Sequence, residues 1–158
     1  MKTIENMPVI EALTPGTTGA ADRTGDYISL KNCPNGVAVY VAMNQADATV
    51  VPVSLLQDTA VAGNVAAKAV ATLVPIWSNL DCAASDLMVA RAAAASYSTD
   101  AGVKHKIVKM IVKPEDLDVA GGFDCLAVKV AQSHASNILY AWYQPLGRRY
   151  ANESMIAD

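Results

Sequence analysis

The sequence predicts an all-β fold, a single β-sandwich or jelly-roll-like domain, and three observations point to it. Apolar residues alternate with period two at 37–43, 106–113, 126–130 and 138–143, as in strands with one buried face. Turn-forming clusters of Pro, Gly, Asn and Asp recur between these runs at the spacing of a sandwich. The hydrophobic fraction, 53% of 158 residues, comes mostly from Ala and Val with one Phe and two Trp, which suits layered sheets better than a helical bundle. A chain of this length is one domain's worth and can bury a core without staples.

Residues 1–25 carry Pro8, Pro15, Gly16, Gly19 and Gly25 and no sustained period. They read as an extended N-terminal arm preceding a sandwich domain over 26–158 that ends in a short C-terminal tail. Ile4, Met7, Val9, Ile10 and Leu13 are more apolar than a solvating tail needs, so the arm is expected to order against a partner. Order begins at Tyr27-Ile28-Ser29-Leu30, and Cys33-Pro34-Asn35-Gly36 supplies a tight turn. Val37, Val39, Val41 and Met43 then alternate with Ala38, Tyr40, Ala42 and Asn44, the pattern of a strand with one face buried. Residues 49–57 return as a second strand, in which Pro52 favours an edge or a bulge. Residues 61–74 fit either a helix or a short strand, with strand the better reading. Ser85-Asp86 can cap a helix through the alanines to Ala95, but strand-like flanks favour strand there too.

Lys106–Lys113 places Val108, Met110 and Val112 opposite Ile107, Lys109 and Ile111. Pro114-Glu115-Asp116-Leu117 ends it in a helical turn or tight loop. Gly121-Gly122 leads into a strand over 123–130. In the last strand Ile138, Tyr140 and Trp142 face away from Leu139, Ala141 and Tyr143. The count is roughly seven to nine short strands.

Chemistry is harder to find. The apolar runs are too short to cross a bilayer and the N-terminus lacks a signal-peptide core, so a soluble protein made in the cytosol is expected, with no membrane partner. A net charge of −3 offers no basic face for nucleic acid. Cys33, Cys82 and Cys125 are odd in number and far apart, as reduced buried thiols are. No cofactor is expected. His105 and His134 sit on different elements, away from any Cys at ligand spacing. Glu115, Asp116, Asp118 and Asp124 lack an EF-hand pattern and read as a solvated loop. Ser133-His134 has no nucleophile-elbow frame, and the turns at Gly63 and Gly121 lack the Lys-Ser/Thr of a phosphate loop. The reading is therefore non-enzymatic. Arg148-Arg149-Tyr150 can fork onto a neighbour's carboxylate or simply be solvated. Tyr140, Trp142 and Tyr143 suit a core or subunit interface better than a sugar platform.

Ser-Asp-Leu at 85–87, Ala-Ser-Tyr-Ser-Thr-Asp at 95–100, Ile-Val-Lys-Met-Ile-Val-Lys-Pro-Glu-Asp-Leu-Asp at 107–118, Gly-Gly-Phe-Asp-Cys-Leu-Ala-Val at 121–128 and the closing Arg-Arg-Tyr follow one another in order. This progression, spanning roughly Tyr27 to Tyr150, resembles the head decoration (cement, auxiliary capsid) proteins of tailed bacteriophages. The resemblance implies a β-sandwich on the capsid exterior that contacts the major capsid protein and its own copies around local symmetry axes, as a homo-oligomer of which a trimer is one form. The arm would be its strap, with Ile4, Met7, Val9, Ile10, Leu13, Arg148, Arg149 and Tyr150 as partner-binding residues. A head-tail connector or tail protein is the second reading, and a carbohydrate-binding module the third.

Overall fold

The computed structural model describes residues 8–147 and 154–156, and among them two antiparallel sheets pack face to face. Sheet A runs in the order β1 (Ile10–Thr17), β12 (Ile138–Pro145), β4 (Val37–Asn44), β10 (His105–Val112), β7 (Val74–Asn79) and β8 (Val89–Ala94). Sheet B is built on β11 (Cys125–Val130) and β5 (Pro52–Asp58). Two short strands, β2 (Arg23–Thr24) and β3 (Ile28–Ser29), pair with β11, while β6 (Lys68–Ala69) and β9 (Ser96–Ser98) pair with β5. The all-β sandwich anticipated from the period-two runs is the observed architecture.

The inward residues of the strongest runs make the core. Val37, Val39, Val41, Val108, Met110, Leu139 and Tyr143 of sheet A meet Val53, Leu55, Leu126, Val128 and Val130 of sheet B in one cluster. Each such side chain contributes about 1.5–3 kcal/mol on burial. Pro52 is the first residue of β5, where a missing N–H does not interrupt the ladder. Residues 89–94 form strand β8 and not a helix. Val61–Val74 yields only the two-residue β6, followed by the first residue of β7. Pro114–Asp116 is a 3-10 turn. Cys33 and Cys125 are buried, and Cys82 is partly buried.

The N-terminal arm needs correction. From Ile10 onward the chain is a strand of sheet A, with Ala12 and Leu13 buried in the core and Ile10 packed against it. Its period is hidden because β1 slips register against β12 between Glu11 and Leu13 and again between Leu13 and Gly16. Such bulges put neighbouring residues on the same face and erase the alternation a strand normally shows. Leu13 is therefore a core residue, not a partner-binding one. Val9 is exposed, whereas Ile4, Met7, Arg148, Arg149 and Tyr150 lie outside the described residues. The C-terminal tail also returns to the domain. Met155 is buried in the core beside Cys33, its sulfur 3.6 Å from the Cys33 thiol, and its carbonyl accepts from the Ser29 N–H at 2.8 Å.

Tyr143 ties the two sheets together. Its hydroxyl donates to the Asp26 carbonyl at 2.9 Å and accepts from the Val128 N–H at 2.9 Å, deep inside the sandwich. Burial pushes its phenol well above the ordinary range, so it stays protonated and able to donate. Gly25 is required beside it, because a Cβ there would stand 2.8 Å from the Ala12 carbonyl oxygen and 3.1 Å from the Tyr143 hydroxyl. We expect Tyr143→Phe to lower stability by about 2 kcal/mol, since it orphans a buried N–H and a carbonyl together. Urea denaturation checks this, and a loss under half that size would mean water replaces the hydroxyl.

One end of the sandwich holds a buried cation. Lys106 falls on the inward face of β10, its side chain fully buried. Its ammonium donates to Asp100 Oδ1 at 2.5 Å, to the Asp100 carbonyl at 2.8 Å and to Gln45 Oε1 at 3.0 Å. Gln45 in turn accepts from the Thr99 hydroxyl at 2.7 Å and donates to the Asp100 carbonyl at 2.8 Å. The network satisfies every proton the lysine carries, which is what a charge inside a protein requires.

Candidate interaction surface

The two sheets treat their outer faces differently. On sheet B, the loop after β5 folds back over the strands. Asp58 accepts from the N–H groups of Thr59 at 2.7 Å, Ala66 at 2.9 Å and Val65 at 3.1 Å. Burial opposes ionisation of this carboxyl, yet the three backbone donors outweigh it and hold its pKa below the usual aspartate range. The pinned loop brings Val61 onto Tyr27, Cys125 and Ala127, making a second small core outside β11. The loop therefore covers the outer side of sheet B around Cys125 and Ala127.

Sheet A carries an aromatic row on its outer face. The register aligns Glu11 of β1, Trp142 of β12, Tyr40 of β4, Lys109 of β10, Trp77 of β7 and Ala90 of β8 directly across the strands. Tyr40 and Trp142 stack with centroids 5.0 Å apart and planes 6° from parallel, and Tyr140 stacks on Trp142 at 5.5 Å. The Lys109 ammonium lies 5.6 Å from the Tyr40 centroid and 5.4 Å from that of Trp77, within cation–π range of both. The rings and the lysine are only partly buried. One row along, Tyr140, Ala42 and Ile107 align in turn. The small Ala42 between two large side chains lies in an open depression of about 340 Å³ that Pro15, Cys82 and His105 also line.

This arrangement bears on the uses considered for the aromatics. Tyr143 is core. Tyr140 and Trp142 lie on the face opposite Tyr143, as their alternation predicts, and the structure makes that face the outer one, where Tyr40 and Trp77 join them from strands far away in sequence. Sugar stacking needs open ring faces, but here the rings stack on one another and Lys109 occupies two of them. What remains outward is ring edges, aliphatic side chains and one ammonium, the chemistry of a protein interface.

The sheet's edges also differ. The far side of β1 is closed, with the Ala12 carbonyl taken by the Asp26 N–H at 3.0 Å. Arg23 donates to the Thr14 carbonyl at 2.6 Å and the Gly16 carbonyl at 3.1 Å. At the other edge β8 pairs only with β7, and its register shift between the partners of Val74 and Ile76 is a bulge of the kind that blunts open edges.

The remaining candidates are accounted for by structural work. Ser133 Oγ accepts from Asn137 Nδ2 at 2.9 Å and donates to the Thr49 carbonyl at 3.3 Å, while His134 Nδ1 accepts from the Ser136 N–H at 3.2 Å. Asp116 accepts from the Lys113 N–H at 2.8 Å, Asp118 pairs with Lys68 at 2.5 Å, and Asp124 pairs with Lys31 at 3.3 Å. The thiol of Cys82 is pushed up by burial and by Asp81, away from a reactive thiolate. Among the described residues no group of three His, Cys, Asp or Glu side chains is placed to hold a metal ion, and no helix is long and apolar enough to cross a membrane.

Fold and surface together define an antiparallel β-sandwich whose sheet A carries an aromatic row on its outer face. Compared with family models, curated proteins and solved structures, the chain matches none.

Proposed function

We propose that this protein is a non-enzymatic structural component of a bacteriophage virion, made in the host cytoplasm and added to the capsid exterior as a decoration protein. There it binds the major capsid protein and neighbouring copies of itself. The observation that carries this reading is the open outer face of sheet A, where Tyr40, Trp77, Tyr140 and Trp142 stand partly exposed around Lys109 while the opposite sheet is covered by its own loop. Partly exposed aromatic rings on a flat sheet are the residues that dominate protein interfaces. The resemblance of 107–118 and 121–128 to decoration proteins falls on β10, a central strand of sheet A, and on β11 of sheet B, with the 3-10 turn Pro114–Asp116 and a second one at Val119–Gly121 between them. A decoration role also suits a module whose affinity per copy is modest, since many copies on one shell act together.

The test is the amount of this chain relative to the major capsid protein in purified particles. Comparable amounts are expected, and a few copies per particle would overturn capsid decoration in favour of a head-tail connector or tail component. On the same particles, Trp142→Ala is expected to reduce occupancy at limiting protein by at least roughly tenfold, the effect of removing a central interface aromatic. Unchanged occupancy would remove this face from the assembly.

A further inference from the structure

We infer that the outer face of sheet A is a two-fold interface between two copies of this chain, held by reciprocal Glu11–Lys109 pairs. This rests on the reading above that the face is an assembly surface, and it names the occupant. In the order Glu11, Trp142, Tyr40, Lys109, the row carries a carboxylate and an ammonium at its ends and two stacked rings in the middle. The ends are three strands apart, about 14 Å at the usual strand spacing. Among the described residues neither end has an ion-pair partner in its own chain.

A two-fold axis lying in the interface, parallel to the strands and midway between β12 and β4, maps this row onto itself. Glu11 then meets Lys109 of the second copy, Trp142 meets Tyr40, and both contacts occur twice, as an isologous interface requires. The neighbouring row obeys the same operation. Tyr140 falls over Ala42 of the second copy, so its ring enters the depression of about 340 Å³ that the alanine leaves open. Charge and shape are thus complementary under one symmetry. A single lysine between aromatic rings would otherwise be an unfavourable group to bury.

Sedimentation velocity of the full chain over a concentration series tests the interface. A reversible dimer is expected. Glu11→Lys or Lys109→Glu places two like-charge pairs in it and is expected to raise the dissociation constant roughly a hundredfold. The charge-swapped double variant Glu11→Lys/Lys109→Glu restores opposite charges and is expected to recover dimerisation to within roughly tenfold of the original, since the cycle isolates the pair. Ala42→Arg, which fills the site facing Tyr140 and touches neither charge, is expected to abolish the dimer while circular dichroism shows a folded sheet. A chain that stays monomeric, an assembly indifferent to the single reversals, or a double variant no better than either single one overturns the two-fold pairing. Particle stoichiometry is read separately. A chain abundant on capsids yet monomeric in solution would refute this interface and leave decoration standing, whereas a charge-coupled dimer with few copies per particle would do the reverse.

Discussion

A chain beginning at Gly25 is expected not to fold as a cooperative domain. Removing residues 1–24 strips β1 from sheet A and β2 from sheet B, takes Ala12 and Leu13 out of the core, and opens the ladder of β12 to solvent. Burial of Leu13, Ala12 and part of Ile10, together with the strand's hydrogen bonds, sums to more than about 5 kcal/mol, comparable with the whole stability of an ordinary domain. Loss of the urea unfolding transition and of near-ultraviolet circular dichroism is the expected result. A truncated protein with a transition like that of the full chain would mean that β1 adds nothing to the fold and is a detachable strap. The distinction matters for function, because a segment built into the sandwich is not free to reach across a shell.

The second large effect concerns Lys106. Asp100→Ala is expected to lower stability by about 2 kcal/mol, below what breaking a fully buried ion pair costs, because the Asp100 carboxylate is half-exposed and Gln45 and the Asp100 carbonyl still receive part of the charge. Lys106→Met is expected to cost much less. It removes the buried charge itself and leaves Asp100 half-exposed, where water solvates it. Equal losses would show that the lysine is held by packing rather than by its charge. The same pair gives a pH dependence. The hydrogen bond from Lys106 holds the Asp100 carboxyl below its usual range, with burial opposing and Gly102 and Lys104 assisting. A carboxyl depressed in the folded state stabilises fully above its unfolded pKa, about 3.9, and that stabilisation is lost as pH falls through the folded value. The wild type is therefore expected to lose stability more steeply than Asp100→Asn on going from pH 5 to pH 2. Parallel curves in a pH series of urea melts would contradict it.

Legibility in the sequence followed burial. Strands β4, β10, β11 and β12 were readable because each has one face in the core, and a period of two on an apolar face survives without any knowledge of neighbours. The division of the last strand is legible in the same way, since alternation sets Tyr140 and Trp142 opposite Tyr143, and burial of Tyr143 makes their side the outer one. The alanine-rich stretch at 89–94 was ambiguous, since an edge strand of small residues, all at least partly exposed, has no buried face to mark it. β1 has the sequence pattern of an arm because its bulges place Ala12 and Leu13 on one side together. Met155 gave no signal at all, its burial depending on a chain return more than 120 residues after Cys33.

The sequence alone determined the sandwich, the two alternating faces of its strongest strands, and the scarcity of catalytic or metal-binding motifs, because each depends only on local spacing. Tertiary structure decided which strands lie side by side, and with that everything about the surface. Tyr40, Trp77, Lys109 and Trp142 are scattered over the chain, and only the antiparallel order β12-β4-β10-β7 sets them in one row. Cross-strand register is a long-range property that alternation within a strand does not encode. Hence the residues proposed here to bind a second copy, Glu11 and Lys109 above all, become neighbours of one aromatic row only once the sheet has formed.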